Sequence, residues 1–288
     1  MKIVKILGGI GNQMFQYAFL LALKPKYDED ILIDTSIFDI WKIHNGYELE
    51  DVFSIKEKLA TPSDIKKVSW YFKNYKLRRA LSLYFPKKTA YIEKSPYHFY
   101  PEFLNVQGDA YYDGYWQYFK YFESVKDVVL REFKFVPDTN TRNIDLVHDM
   151  GNHDFISIHV RRGDYLESPE YAGICDIDYY KEAVRVVTEK IVAPTFLVFS
   201  NDISWCKQHI SPLLNKCPHI FVDWNVGKTS FRDMELMSKC KANIIANSSF
   251  SWWAAYLNRT VDKLVVAPRK WTNRKMEFAI QPDDWYLI

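Results

Sequence analysis

The stretch FISIHVRRGDY, residues 155–165, decides the fold. Residues 155–160 are largely apolar on both alternating faces, which suits a strand covered on both sides. Two arginines, a glycine and an aspartate follow at once. An arginine at the mouth of a buried strand is costly unless it meets an anion. That anion is either a carboxylate of the protein or something the protein binds. The pattern recurs downstream, where 196–200 runs into Ser200-Asn201-Asp202 and 243–246 runs into Asn247-Ser248-Ser249-Phe250. Further strands at 220–223 and 264–267 alternate with helical patterns near 178–190, 203–214, 231–240 and 251–258. Such alternation predicts a parallel sheet wound on both faces, with the loops after the strands lining one crevice.

The first half begins in the same way. A strand at 2–7 runs into Leu7-Gly8-Gly9-Ile10-Gly11-Asn12-Gln13 and a helix near 12–23, followed by a strand at 31–34. Glycines allow a tight turn and close approach to a ligand, and a helix N-terminus favours anions. Gly9 and Gly11 fit a dinucleotide fingerprint, and Asp34 stands where a ribose-binding acid would. Met14, however, occupies the third glycine's place. The helix is apolar almost all round, so it should be buried. Its early amides Asn12, Gln13 and Gln16 either cap neighbouring backbone or, for Asn12 beside the glycines, face a ligand. Helices are expected near 64–83 and 120–133, and the chain turns irregular and aromatic beyond about residue 85. Two domains follow, 1–150 and 151–288, with the break between 135 and 154 around VPDTNTRN and the C-terminal tail packing back on the first domain.

Composition bounds the function. The chain has 288 residues, 48% hydrophobic and 26% charged, as in ordinary globular proteins. A net charge of +2 excludes a general nucleic-acid binder. The distribution is uneven: residues 64–94 hold nine Lys and Arg against Asp64 and Glu93. That segment is either a solvated helix face or a patch for an anionic membrane, at about 1 kcal/mol per basic residue. Cys175, Cys206, Cys217 and Cys240 form no CxxC pair, and Met1-Lys2-Ile3 opens directly on a strand pattern. A reducing cytoplasm without a leader is therefore expected, with at most peripheral attachment to the inner face of the membrane. The seven histidines are scattered, and no metal-ligand spacing emerges. Asp176-Ile177-Asp178 imitates a metal-binding DxD, but it precedes a helix and reads better as an N-cap.

In an extended strand, His159 and Arg161 point one way, and Val160 and Arg162 the other. Arg161 is therefore expected on the anion, through its planar fork, with Arg162 bracing the loop through Asp164. Asp164 is alternatively a base near a reacting hydroxyl. Ser200 and Asp202 are either an ordinary helix cap or the edge of the ligand crevice. Ser248 and Ser249 at a helix start offer N–H and O–H groups to a phosphate. Asp233 is either a helix cap or an acceptor for guanine N1–H and N2–H.

The ordered series GGIGNQMFQYA (8–18), HVRRGDY (159–165), FSNDISWC (199–206) and DMELMSKCKANIIANSSFSWWAAYL (233–257) resembles the bacterial α-1,2-fucosyltransferases, glycosyltransferase family 11. The resemblance implies a GT-B type α/β fold, two Rossmann-like domains facing each other across a cleft. It implies inverting transfer of L-fucose from GDP-β-L-fucose to the 2-hydroxyl of a terminal β-galactoside, without metal, in surface polysaccharide or O-antigen synthesis. On matching positions it puts Arg161 on the donor diphosphate, Asp233 on guanine, and Ser248, Ser249 and Phe250 around the nucleotide. The donor-binding set expected is Gly9, Gly11, Asn12, His159, Arg161, Arg162, Ser200, Asp202, Asp233, Ser248, Ser249 and Phe250, with Arg161 and Asp164 as the catalytic pair. Residues 40–110 carry no matching motif and are expected to read the acceptor. A transferase of other linkage or another GDP-sugar, and a carbohydrate-binding protein using its aromatics, are the alternatives. The oligomeric state is left open.

Overall fold

Ten strands form two wholly parallel sheets in the computed structural model, which describes every residue except 42, 43, 73, 215, 277 and 278 and gives only the backbone of residue 75. The chain divides into two units, Met1–Val136 and Pro137–Ile288.

In the first unit, β1 (Lys2–Lys5), β2 (Ile31–Asp34), β3 (Ala90–Ile92) and β4 (Ala110–Asp113) lie in the order β2-β1-β4-β3. Ile3 sits opposite Leu32 on one side and Tyr111 on the other. The Ile10–Leu23 helix is buried at every residue but Asn12, as its apolar circumference requires. Phe19 on this helix stacks on Trp116 at 4.5 Å. β3 and β4 are absent from the sequence reading because neither Ala-Tyr-Ile nor Ala-Tyr-Tyr-Asp makes a run of β-branched residues. The helix expected at 64–83 is two helices, Pro62–Val68 and Tyr75–Tyr84. A capping box from Thr61 and Asp64 starts the first, and Ser69 ends it in extended conformation. The helix expected at 120–133 is regular only over Lys126–Glu132.

The second helix, capped by Asn74, points Arg78 inward. Its guanidinium pairs with Asp34 at 2.5 Å and donates to the Tyr111 hydroxyl at 2.7 Å and to Ser36 Oγ at 2.9 Å. Burial pushes the Asp34 carboxyl up, but Arg78 and hydrogen bonds from Ser36 and Tyr111 outweigh it and hold the group below the usual range. Asp34 is thus consumed by an internal ion pair, which removes the ribose-binding role a dehydrogenase would need. Arg78 also leaves the basic surface expected over 64–94, and Lys73 of that segment lies outside the described residues.

In the second unit, β5 (Phe155–Val160), β6 (Thr195–Ser200), β7 (His219–Val222), β8 (Ala242–Ile244), β9 (Leu264–Ala267) and β10 (Tyr286–Leu287) lie in the order β10-β9-β8-β5-β6-β7. All six residues of β5 are buried. The chain moves outward from β5 to β6 and β7, then returns to the other side of β5 to lay down β8, β9 and β10. This Rossmann order reverses between β5 and β8, and ligands of such sheets bind outside the carboxyl ends of the strands at that reversal.

One boundary expectation is corrected. The units part at Val136, not at residue 150, because the Thr141–Asp149 helix belongs to the second unit. Asn143 on that helix donates to Asn225 at 3.0 Å and accepts from Trp224 Nε1 at 2.7 Å. The last strand of the C-terminal tail, β10, pairs with β9 in the second unit's sheet.

Candidate active site

The reversal between β5 and β8 brings together two loops more than eighty residues apart. Arg161 follows the last residue of β5. Its guanidinium lies 5.3 Å from the centre of the Tyr165 ring, and the Ser248 side chain near that ring partly offsets the upward push of burial on the Tyr165 hydroxyl. His159, two residues earlier, has its ring 5.8 Å from that of Phe250. Arg162 reaches toward the β6 loop. Its Nε donates to Asp202 at 3.1 Å, its backbone N–H to Asn201 Oδ1 at 2.9 Å, and its guanidinium covers Trp205 at 4.0 Å. The two arginines keep different neighbours, although both line one cavity, and the brace expected between Asp164 and Arg162 is exchanged. Arg162 is braced by Asp202, whereas Asp164 accepts from Arg161 Nη2 at 2.7 Å.

Arg161 is incompletely satisfied. Its Nε is buried without a hydrogen-bond partner, although buried donors ordinarily have one. Asp164 itself is 69% exposed. Nearby, burial with the Arg161 charge pushes the His159 imidazole down to about 3, so it is neutral across the physiological range, and its buried Nδ1 has no partner. Ser248 precedes the Ser249–Leu257 helix but does not cap it, which leaves the amides of its first turn open. A cavity of ≈ 30 Å³ lies beside these groups, lined among others by Arg161, Arg162, Tyr165, Cys175 and Asn247. A buried guanidinium nitrogen without a partner and a helix start that Ser248 does not cap thus lie near one another at the carboxyl end of β5.

Other expected residues fall elsewhere. Ser200 and Asp202 serve local structure: Ser200 Oγ accepts from the Asp202 N–H at 2.9 Å, and Asp202 caps the Ile203–His209 helix through the Trp205 N–H at 3.0 Å. Asp233 is no cap. It lies on the Phe231–Met237 helix, which packs on the Ser249–Leu257 helix, and accepts from Asn225 Nδ2 at 2.9 Å. Burial pushes its carboxyl up to about 7. In the first unit, Gln13 and Gln16 cap loop backbone, donating to Gly8, Gly46 and Gly114 carbonyls. Asn12 Oδ1 accepts from Gln117 Nε2 at 2.6 Å, and a side chain at Gly8 would meet Asn12 at 2.7 Å. Gly9 and Gly11 give the turn into that helix, with Gly9 as its N-cap and Gly11 buried within it.

Tyr165, Asn201 and Asn225 were given no role by the sequence reading, although Tyr165 and Asn201 lie inside motifs it quoted, HVRRGDY and FSNDISWC, whereas Asn225 had no signal. At Gly163, φ is 61°, and an added Cβ would stand 2.6 Å from Asn201 Nδ2, so the RRG turn requires glycine there.

Among the described residues no group of three His, Cys, Asp or Glu side chains could hold a metal ion. Asp176 caps the Ile177–Lys190 helix through the Tyr179 N–H at 2.9 Å. Asp176→Ala is expected to lower stability by about 1 kcal/mol and to leave transfer activity intact. Chemical denaturation and an activity assay check this. A collapse of activity in a folded variant would restore the pair as a metal motif.

Two Rossmann-like parallel units define an α/β protein of GT-B type. The family model for glycosyl transferase family 11 matches residues 1–288, and the chain belongs to that family of glycosyltransferases. It is 31% identical to the α-1,2-colitosyltransferase of Escherichia coli over 99% of this chain and 98% of that one. It is 31% identical to the O-antigen biosynthesis glycosyltransferase WbnK of Escherichia coli over 96% and 97%. Rat galactoside α-(1,2)-fucosyltransferase 2 is 25% identical over 88% of this chain and 66% of its own length. Among solved structures, the fucosyltransferase NodZ from Bradyrhizobium shares the fold at a TM-score of 0.53 and 13% identity, over 88% of this chain and 91% of that one.

Proposed function

We propose that the protein transfers L-fucose from GDP-β-L-fucose to the 2-hydroxyl of a terminal β-galactoside with inversion, as a metal-independent step of surface polysaccharide or O-antigen synthesis. The observation that carries this reading is Arg161: an arginine at the strand reversal with one nitrogen on an exposed carboxylate and another buried and unpartnered. The α-1,2 linkage is supported by the names of relatives on both the bacterial and the mammalian side. The guanosine donor is supported by NodZ structures obtained with GDP and GDP-fucose, and by a buried acceptor at Asp233.

The chemistry follows from charge. As the fucosyl–phosphate bond breaks, positive charge grows on the sugar carbon and negative charge on the departing diphosphate. A guanidinium at that phosphate binds the departing group more strongly than the intact donor, which lowers the barrier. The Ser248 hydroxyl and the open amides of the Ser249–Leu257 helix would share the load, so no divalent ion is needed. The acceptor hydroxyl attacks from the opposite face, with Asp164 the nearest carboxylate to take its proton. The four free cysteines support a cytoplasmic setting.

One observation favours a second donor: the 31% identical relative is named a colitosyltransferase. Colitose is fucose without its 3-hydroxyl, so the same site could serve either sugar. Mass spectrometry and NMR of products from GDP-fucose and GDP-colitose, with a panel of β-galactosides, decide between them. The expected product is an α-1,2-fucosyl galactoside, formed at the same rate with and without EDTA. A metal-dependent rate, another linkage or turnover with GDP-colitose alone would overturn the corresponding part of the proposal.

A further inference from the structure

The Tyr75–Tyr84 helix in the first unit carries an exposed apolar and basic surface. Arg78 marks its inward face. At roughly 100° per residue, Lys76, Leu77, Arg79, Ala80, Leu83 and Tyr84 share the opposite face, and all six are exposed. Phe85 follows, with its ring 69% exposed although its backbone is fixed: its N–H donates to the Leu81 carbonyl at 2.9 Å, and its carbonyl accepts from Trp70 Nε1 at 2.7 Å. An outward aromatic on an anchored backbone is held in place rather than frayed. Of fifteen large hydrophobic side chains exposed among the described residues, four lie between Leu77 and Phe85, and Tyr84 reaches 76%. The concentration marks a patch and not the scatter normal for a surface.

Lys76 and Arg79 share its helix face, and further cations of the 64–94 segment form no ion pair with the protein's own acids among the described residues. Lys66, Lys76, Arg79, Lys88 and Lys94 are exposed and join no ion pair among the described residues. The two acids of the segment are otherwise engaged: Asp64 caps its helix and pairs with Lys67, and Glu93 accepts from the Tyr115 N–H.

We propose that this face docks on an anionic lipid surface, with Leu77, Leu83, Tyr84 and Phe85 entering the headgroup boundary and the lysines and Arg79 meeting lipid phosphates. Apolar side chains flanked by basic ones on one helix face are what an interfacial helix needs. A second copy of the chain is a poor occupant, because a two-fold contact would set these cations against themselves. A nucleic acid would satisfy the cations but give Leu77 and Leu83 nothing to bury against. The inference is independent of donor and acceptor.

The test is flotation of the full chain with vesicles of phosphatidylglycerol and phosphatidylethanolamine, or of phosphatidylcholine alone, at low and high salt. The parent protein should float with the anionic vesicles only and be released as salt rises. The double variant Lys76→Glu with Arg79→Glu should partition at least about tenfold more weakly, with unchanged circular dichroism and thermal midpoint. Leu83→Ser with Tyr84→Ser should weaken binding by a factor that salt does not alter. Equal flotation of parent and charge variant, binding to neutral vesicles, or no flotation at all would overturn the proposal. So would a parent dimer, seen by sedimentation, that the Leu83→Ser, Tyr84→Ser variant dissociates.

Discussion

Arg161→Lys is expected to lower kcat/KM for glycosyl transfer on the order of 10²–10³-fold, with a thermal midpoint close to the parent's. The large functional effect comes from geometry. A guanidinium presents parallel N–H groups to a phosphate, and the Nε of Arg161 is buried and unpartnered where such a group would arrive. An ammonium offers a point charge without that fork. The small stability effect comes from the contacts at stake. The Arg161–Asp164 pair joins residues three apart, with a carboxylate that is largely exposed, so it contributes about 0–1 kcal/mol. The same weakness makes Asp164 a partner that a diphosphate displaces, leaving its carboxylate beside the reacting centre. Steady-state kinetics and thermal unfolding of the purified variant check both halves. Near-parental turnover would remove Arg161 from the diphosphate site, and an unfolded variant would mean its internal contacts had been undervalued.

The contrast between neighbouring arginines shows what was legible in the sequence. Alternation along β5 separated Arg161 from Arg162, because a strand's period is a local property. The identity of their partners depended on which strands flank β5, and that is topology. Arg162 reaches Asp202 because the β6 loop ends beside β5, and Arg161 lies over Tyr165 in the turn that follows its own strand. No local pattern encodes a strand order of β10-β9-β8-β5-β6-β7. Asp34 misled for the same reason: its position mimicked a ribose-binding acid, while its partner Arg78 lies 44 residues away on the Tyr75–Tyr84 helix. β3 and β4 were invisible because their aromatic residues pack against other aromatics, as Tyr91 does against Tyr112, and so need no aliphatic run.

Affinity for GDP is expected to fall about a hundredfold as pH drops from 9 to 5, with Asp233 responsible for most of the fall. Burial pushes this carboxyl up to about 7, and the Asn225 hydrogen bond offsets only part of that. Guanine offers two donors, N1–H and N2–H, and only the ionised carboxylate accepts both. Below about pH 7 the free protein must release a proton to bind, so the apparent affinity falls with each unit. The diphosphate of GDP also gains a proton in this range, and Asp233→Asn supplies the control. That variant is expected to bind GDP roughly 10- to 100-fold more weakly at pH 8, the worth of hydrogen bonds to a charged group. It should keep only the pH slope of the nucleotide and leave ADP binding unchanged. Its fold should survive. A carboxyl raised to about 7 contributes stability while protonated, and that contribution is lost as pH rises through 7. Asn225 supplies the remaining constraint, since its Nδ2 holds Asp233 Oδ1 while its own Oδ1 accepts from Asn143 at 3.0 Å. Titration calorimetry of parent and variant across the pH range, in buffers of matched ionic strength, measures each quantity. Parallel slopes in the two proteins would exclude Asp233 from the guanine site, however well its burial suits the role.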